Sequence, residues 1–136
     1  MMDTVLGLIA LNETLRVAGA RHGLLMGSQF KGATVQSDAQ YRAKHSSEYS
    51  VSTVGNKCKW AATHPQQDTY TLDACNEAYA YARSANQKFR GHNLCWGNNN
   101  PQWLSEGNFS AAKLKAILQD HIMTVMQGIK AAANGT

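Results

Sequence analysis

The chain has 136 residues, 43% hydrophobic and 16% charged, which is enough for one domain with a hydrophobic core. No apolar run is long enough to cross a bilayer, and the net charge of +4 is scattered rather than gathered into a basic stripe. We therefore expect residues 1–136 to form a single domain with no membrane partner and no nucleic-acid partner.

The N-terminal segment predicts a helix over residues 4–21, because apolar residues such as Val5, Leu8 and Leu15 roughly follow helical spacing. The segment lacks a basic start and carries Asp3, and both features argue against a signal peptide. A weak signal peptide remains the alternative.

The following segments predict strands alternating with helices. Residues 23–28 predict a short buried strand bounded by glycines, and the β-rich residues 49–53 predict a second strand. Between them, residues 38–47 predict a helix with Ser37 as the N-cap. A loop over residues 54–68 follows the second strand.

The second half of the chain repeats this alternation. Residues 72–86 predict a helix, residues 88–95 a third strand, and residues 111–133 a last helix. The apolar stripe of the last helix consists of Leu114, Ile117, Leu118, Ile122, Val125 and Ile129. A helix followed by three βα units predicts a parallel sheet, in which functional residues lie at the carboxyl ends of the strands.

The three cysteines fit no zinc-binding spacing, so no metal site is predicted. Their odd number leaves at least one free thiol. Cys95 is expected to be a small buried apolar residue, and Cys58 can pair with Cys75 or with Cys95. Residues 27–32 lack the spacing of a phosphate-binding loop, which disfavours a nucleotide-binding or flavodoxin-like domain. We therefore predict no cofactor.

Polar and aromatic residues cluster after the second and third predicted strands, namely Asn56, Lys59, Trp60, His92, Trp96, Asn98, Asn99 and Trp103. Neighbouring parallel strands would bring these residues together. Amides, a cation, an imidazole and indole rings suit a sugar, whose hydroxyls form hydrogen bonds and whose apolar face stacks on an aromatic ring. In the alternative interpretation, Trp60 and Trp103 only pack in the interior and the asparagines only form a turn.

Two motifs resemble glycoside hydrolase family 10, the xylanases built on a TIM barrel. GNKCKWAATHP at residues 55–65 resembles the family's second-strand segment, and FRGHNLCW at 89–96, followed by PQWL at 101–104, resembles its third-strand segment. Residues 26–28 stand where the family has its first strand, and residues 118–122 also fit the family pattern. The resemblance implies an α/β fold: the first three βα units of a TIM (β/α)8 barrel, preceded by an N-terminal helix, and thus an incomplete barrel.

Carried over by position, the resemblance implies substrate-binding contacts on the glycone side of a xylan chain at Asn56, Lys59, His92 and Trp96. Asn99 stands where the family usually has Gln.

The chain also departs from the family pattern at two positions. Gly55 replaces a sugar-binding Glu, and Gly97 replaces a His. Loss of the Glu removes a charge-assisted hydrogen bond that contributes about 1.5–3 kcal/mol.

The resemblance assigns no catalytic residue to this chain. Retaining glycosidases use two carboxylates about 5–5.5 Å apart, which the family carries on its fourth and seventh strands, and a full TIM barrel takes about 250 residues. Asp38, Asp73, Glu77 and Asp120 fall in predicted helices, and Glu48 enters a strand at its amino end. Asp68 and Glu106 lie in loops, and nothing places them as a pair. We therefore expect a truncated xylanase-family protein with a partial xylan site that is not catalytically competent alone. The alternative is a non-catalytic carbohydrate- or protein-binding module derived from a xylanase.

Three strands cannot close a barrel, so one sheet face and two sheet edges are expected to lack cover. Self-association through these surfaces, a longer chain, or a rearranged N-terminal helix would supply it. The expected partner is xylan or another β-1,4-linked polysaccharide. The family also implies an extracellular location, although no clear signal peptide is present.

Overall fold

The computed structural model describes residues 13–134 of the chain, which form seven α-helices and three strands. In chain order these are α1 (Leu15–Arg21), β1 (Gly27–Phe30), α2 (Gly32–Ser37), α3 (Ala39–Glu48), β2 (Val51–Val54), α4 (Trp60–Thr63), α5 (Asp73–Ser84), β3 (Lys88–Arg90), α6 (Gln102–Glu106) and α7 (Ala111–Asn134). A 3-10 helix, Asn56–Cys58, joins β2 to α4.

The strands form one parallel sheet in the order β1-β2-β3. Gly27 of β1 pairs with Val51 of β2, and Val51 pairs with Lys88 of β3. Helices separate consecutive strands along the chain. The predicted parallel βα order is thus confirmed.

The two faces of the sheet differ in polarity because side chains alternate along each strand. One face is covered by helices and joins a core of buried residues, namely Phe30, Val35, Val54, Cys58, Cys75 and Ala78. The opposite face carries Gln29, Thr53, Lys88 and Arg90 beside Val51. Polar side chains on this open face lower the free-energy cost of leaving it in water. Self-association through this face and the sheet edges stays a prediction.

A disulfide joins Cys58, at the end of the 3-10 helix, to Cys75 in α5. This bond is one of the two pairings that the sequence left open for Cys58. Cys95 is the free thiol and is exposed, so the prediction of a buried Cys95 is wrong.

The reason for the error at Cys95 is the length of the third strand. β3 ends at Arg90 rather than at residue 95, and its last partner is Thr53. Beyond Val54 the neighbouring chain turns into the 3-10 helix, and β2 therefore offers β3 no further ladder positions. Residues 91–95 consequently lie in a loop.

The first strand begins later than the sequence predicts. Gly23 adopts a left-handed conformation, with φ of 68°, and the Leu24 amide donates to the Gly19 carbonyl at 2.9 Å. This arrangement ends α1 with a Schellman motif. Leu24 and Leu25 are 59% and 55% exposed, so a buried strand over residues 23–28 is wrong in its position and its burial.

The N-cap of α3 is Asp38 rather than Ser37. The Asp38 carboxylate accepts a hydrogen bond from the Tyr41 amide at 2.9 Å. Ser37 instead ends α2, a helix that the sequence did not predict, and donates its hydroxyl to the Ala33 carbonyl.

The last helix packs most of its predicted stripe inward, since Leu118, Ile122 and Ile129 are partly buried, but one predicted residue is exposed and a histidine joins the stripe. Ile117 and Val125 are buried as expected, and His121, which lies between these two residues in the chain, is fully buried. Leu114, by contrast, is 41% exposed.

The early part of the predicted first helix lies outside the described residues. Among residues 13–134, no helix combines the length and apolarity that crossing a membrane requires.

Candidate functional site

A cleft of about 260 Å³ lies at the carboxyl edge of the sheet. It is lined by Gln29, Thr53, Val54, Gly55, Asn56, Lys59, Arg90 and His92. We refer to these eight residues as the strand-end cleft. Three of the five predicted substrate contacts, Asn56, Lys59 and His92, are therefore brought together here.

The backbone that carries Asn56 and Lys59 is fixed at both of its ends. β2 anchors the segment up to Val54 through its ladder with β1 and β3, and the disulfide anchors Cys58 to α5. Lys59 then precedes α4, where the Ala62 and Thr63 amides donate to its carbonyl. These constraints place the two side chains on a rigid support, as a binding site requires.

Trp96 lies beside the strand-end cleft and contacts two of its residues. The Lys59 ammonium Nζ lies 4.8 Å from the centroid of the Trp96 ring, within cation–π range. The His92 and Trp96 ring centroids are 6.1 Å apart, with the ring planes 51° from parallel. Trp96 remains 45% exposed, so much of its indole surface is open to a ligand.

Asn99 does not line the strand-end cleft. Its backbone has φ of 57°, and its carbonyl accepts a hydrogen bond from the Ala61 amide at 3.2 Å. The Asn98 side chain accepts from the Asn99 amide at 2.8 Å. The two asparagines therefore form a turn that fastens the loop to α4, and a sugar contact by the Asn99 side chain stays a prediction.

Trp60 packs in the interior, as the alternative interpretation of the sequence held, whereas Trp103 is only partly buried. Trp60 is 5% exposed and stacks on His121, with ring centroids 4.1 Å apart. Trp103 is half-buried and donates its indole N–H to the His64 carbonyl at 3.1 Å.

Sequence reasoning missed three polar residues of the cleft, Gln29, Thr53 and Arg90. They occupy equivalent positions on the three strands, because Gln29 pairs with Thr53 and Thr53 with Arg90. Arg90 could have been found from the alternation of side chains, since it stands two residues before His92. Gln29 could not, because the first strand was placed too early.

The strand-end cleft contains cations but no carboxylate from residues 13–134. Two of the acidic side chains form hydrogen bonds elsewhere in the fold. Glu48 accepts from the Leu15 amide at 2.8 Å, and Asp120 accepts from the Tyr70 hydroxyl at 2.8 Å. The described part of the chain therefore supplies no acid/base or nucleophile pair to this cleft.

A second cleft of about 270 Å³ lies beside α7, and its lining includes Asp68, Asp120, Lys113 and His64. It shares no residue with the strand-end cleft.

Burial, followed by the hydrogen bond to Asp120, raises the pKa of Tyr70 to about 12. Within the described residues, no cluster of three His, Cys, Asp or Glu side chains could hold a metal ion.

Parallel βα units with polar and aromatic side chains at the carboxyl edge of their strands are typical of the TIM-barrel class of α/β proteins. The family model of glycosyl hydrolase family 10 matches residues 14–134. The chain belongs to that family.

Individual relatives agree with this assignment. Endo-1,4-beta-xylanase C of Phanerodontia chrysosporium is 38% identical over 78 residues, which cover 57% of this chain and 20% of that protein. The structure of xylanase 10B from Thermotoga petrophila in complex with xylobiose is 25% identical with a TM-score of 0.76, and the match covers 84% of this chain and 36% of that one. The structure of Penicillium canescens endo-1,4-beta-xylanase XylE shares the fold, with a TM-score of 0.78 at 21% sequence identity. That match covers 86% of this chain and 36% of the XylE chain. The chain thus spans about a fifth of the curated relative and 36% of each solved structure.

Proposed function

We propose that the strand-end cleft binds the glycone side of xylan or of β-1,4-linked xylo-oligosaccharides. The observation that carries this proposal is the meeting of Asn56, Lys59 and His92 in one cleft, with Trp96 in contact with Lys59 and His92. The family relationship supports xylan as the substrate class.

The chemistry of the cleft suits a sugar ring. The Asn56 amide can donate to one hydroxyl and accept from another, and the Lys59 ammonium and the His92 imidazole provide further polar partners. The exposed indole of Trp96 offers an apolar surface on which the C–H face of a xylose ring can stack. A few directed polar groups beside an aromatic surface are typical of small-ligand sites.

Binding without hydrolysis is the expected behaviour of the 136-residue chain. A retaining glycosidase needs two carboxylates about 5–5.5 Å apart across the scissile bond. Among residues 13–134, none lines the strand-end cleft. This finding supports a partial site that holds a sugar and does not cleave it.

Titration with xylotriose, followed by calorimetry or by NMR shifts, tests the proposal. We expect saturable binding that Trp96→Ala weakens by about tenfold, since loss of an aromatic contact is worth on the order of 1–1.5 kcal/mol. Met123→Ala is the matched control, because Met123 is an apolar side chain of similar exposure, 51%, on α7. Equal affinity of the Trp96→Ala variant and the unmodified chain would contradict the proposed site.

A reducing-sugar assay on xylan tests the catalytic part of the proposal. We expect no release above the buffer blank. Release that persists in repeatedly purified protein, and that Lys59→Ala abolishes, would show that this chain hydrolyses xylan and that the argument from the missing carboxylates fails.

A further inference from the structure

Two cations in the strand-end cleft have no acidic partner in the described structure. Lys59 and Arg90 both line the cleft, and neither forms an ion pair with a carboxylate of residues 13–134. The ion pairs that do form, Arg21–Glu13 and Lys44–Glu48, involve other cations. The imidazole of His92 belongs to the same lining.

Gly55 contributes no charge to this cleft, and a neutral side chain lies against it. A Cβ atom at position 55 would lie 2.7 Å from the Gln29 side-chain nitrogen Nε2. The neutral amide of Gln29 therefore occupies the space into which a side chain at position 55 would extend. A glutamate introduced at position 55 could enter the cleft only if the end of the Gln29 side chain moved away.

From this charge pattern we propose that the strand-end cleft prefers a sugar bearing a carboxylate over a neutral sugar of the same length. The ligand class is a β-1,4-linked xylo-oligosaccharide substituted with a uronic acid, and this inference rests on the proposed function. The carboxylate would accept charge-assisted hydrogen bonds from Arg90 and Lys59, which are roughly twice as strong as neutral ones. The planar guanidinium of Arg90 can bind a carboxylate in a bidentate manner.

The test compares the affinities of xylotriose and of xylotriose carrying one glucuronic acid for the 136-residue chain at low ionic strength. We expect the acidic ligand to bind about tenfold more tightly, in keeping with a charged hydrogen-bond partner. The preference should shrink in 0.5 M NaCl, since a Debye length of roughly 4 Å screens a cleft that is open to solvent.

Substitutions identify the cations responsible. Arg90→Gln should remove most of the preference for the acidic ligand, measured as the ratio of the affinities of the same variant for the acidic ligand and for xylotriose. Lys88→Gln is the matched control, because it removes the same charge from the same strand outside the cleft lining. Circular dichroism at the working temperature verifies that each variant is folded. Equal preference in Arg90→Gln and Lys88→Gln would overturn the assignment of the carboxylate to Arg90.

The reverse substitution adds an independent test. Gly55→Glu combined with Gln29→Ala, which makes room for the new side chain, should abolish the preference for the acidic ligand. If the double variant and the unmodified chain show the same preference, the charge of the cleft does not set selectivity and the inference fails.

The outcomes separate this inference from the proposed function. Equal binding of both ligands by the unmodified chain would overturn the inference alone, and binding of neither ligand would overturn both. Inorganic phosphate and glucuronate serve as competitors. Displacement of the acidic ligand by phosphate at the same concentration as by glucuronate would identify a general anion site and would also overturn the inference.

Discussion

The buried histidine of α7 predicts that the fold is sensitive to acid. His121 is fully buried, its ring stacks on Trp60, and neither ring nitrogen has a close hydrogen-bond partner among residues 13–134. Burial, followed by repulsion from His64, lowers the pKa of His121 to about 4, against weaker opposing effects of the Leu94 backbone and the Asp120 carboxylate.

The pKa of His121 sets the pH range of the effect. Above pH 6.5 the ring is neutral in both the folded and the unfolded chain, so its contribution to stability is complete. Between pH 6.5 and about 4 the unfolded chain takes up a proton that the folded chain does not, and the free energy of unfolding falls as the pH falls. The loss is about 2 kcal/mol at pH 5 and about 3 kcal/mol below pH 4.

Urea unfolding at pH 7 and at pH 5 measures this loss. His121→Phe keeps an aromatic ring against Trp60 but cannot be protonated, so we expect its stability to fall by about 2 kcal/mol less than that of the unmodified chain. His22→Gln, which replaces an exposed histidine, should keep the full sensitivity. Burial also lowers the pKa of His45, which contributes a residual loss in all three proteins.

If His121→Phe loses as much stability between pH 7 and pH 5 as His22→Gln does, the protonation of His121 does not destabilise the fold and the reasoning is refuted.

Three further predictions concern packing and cross-links, each measured as the free energy of unfolding in urea. Reduction of the Cys58–Cys75 bond, which closes a sequence separation of 17, should cost about 3 kcal/mol, and insensitivity to reductant would contradict this. Gln87→Ala should cost about 2 kcal/mol, because the buried His45 carbonyl would lose the hydrogen bond that it accepts from the Gln87 side-chain amide. The Tyr49 carbonyl, which also accepts from Gln87, would keep its bond from Arg16, and a total change under about 0.5 kcal/mol would argue against this prediction. Gly128→Ala should stabilise by less than the roughly 1 kcal/mol that alanine gains over glycine in a helix, because the new Cβ would displace a methyl group at the flexible end of the Leu72 side chain. In a Leu72→Ala background the same substitution should give the full gain, and equal effects in both backgrounds would contradict the steric explanation.

Local patterns in the sequence determined the order of the elements. Helical spacing in residues 111–133 and β-rich runs near residues 51 and 88 predict the βα alternation and the parallel sheet, which the structure confirms. The two motifs around Trp60 and His92 predicted the family, which the family model confirms over residues 14–134. These features depend on short-range spacing and residue type, which the chain carries directly.

The sequence alone predicted the ends of the strands less accurately than it predicted the order of the elements, because pairing between distant segments determines where a strand ends. β3 ends at Arg90 since β2 turns away after Val54, and that turn is fixed by a disulfide whose partner the sequence left open. For the same reason the exposure of Cys95 could not be deduced from its apolar neighbours.

Within the strand-end cleft, the sequence determined which chemical groups are present, and the tertiary structure decided which of them meet. Asn56, Lys59 and His92 were predicted from their positions after the strands. The sheet register added Arg90 and Gln29, because only the pairing of three strands brings residues so far apart in the chain to one face. The sequence therefore predicted that polar side chains would line the cleft, whereas the excess of positive charge in the cleft follows from the register of the sheet.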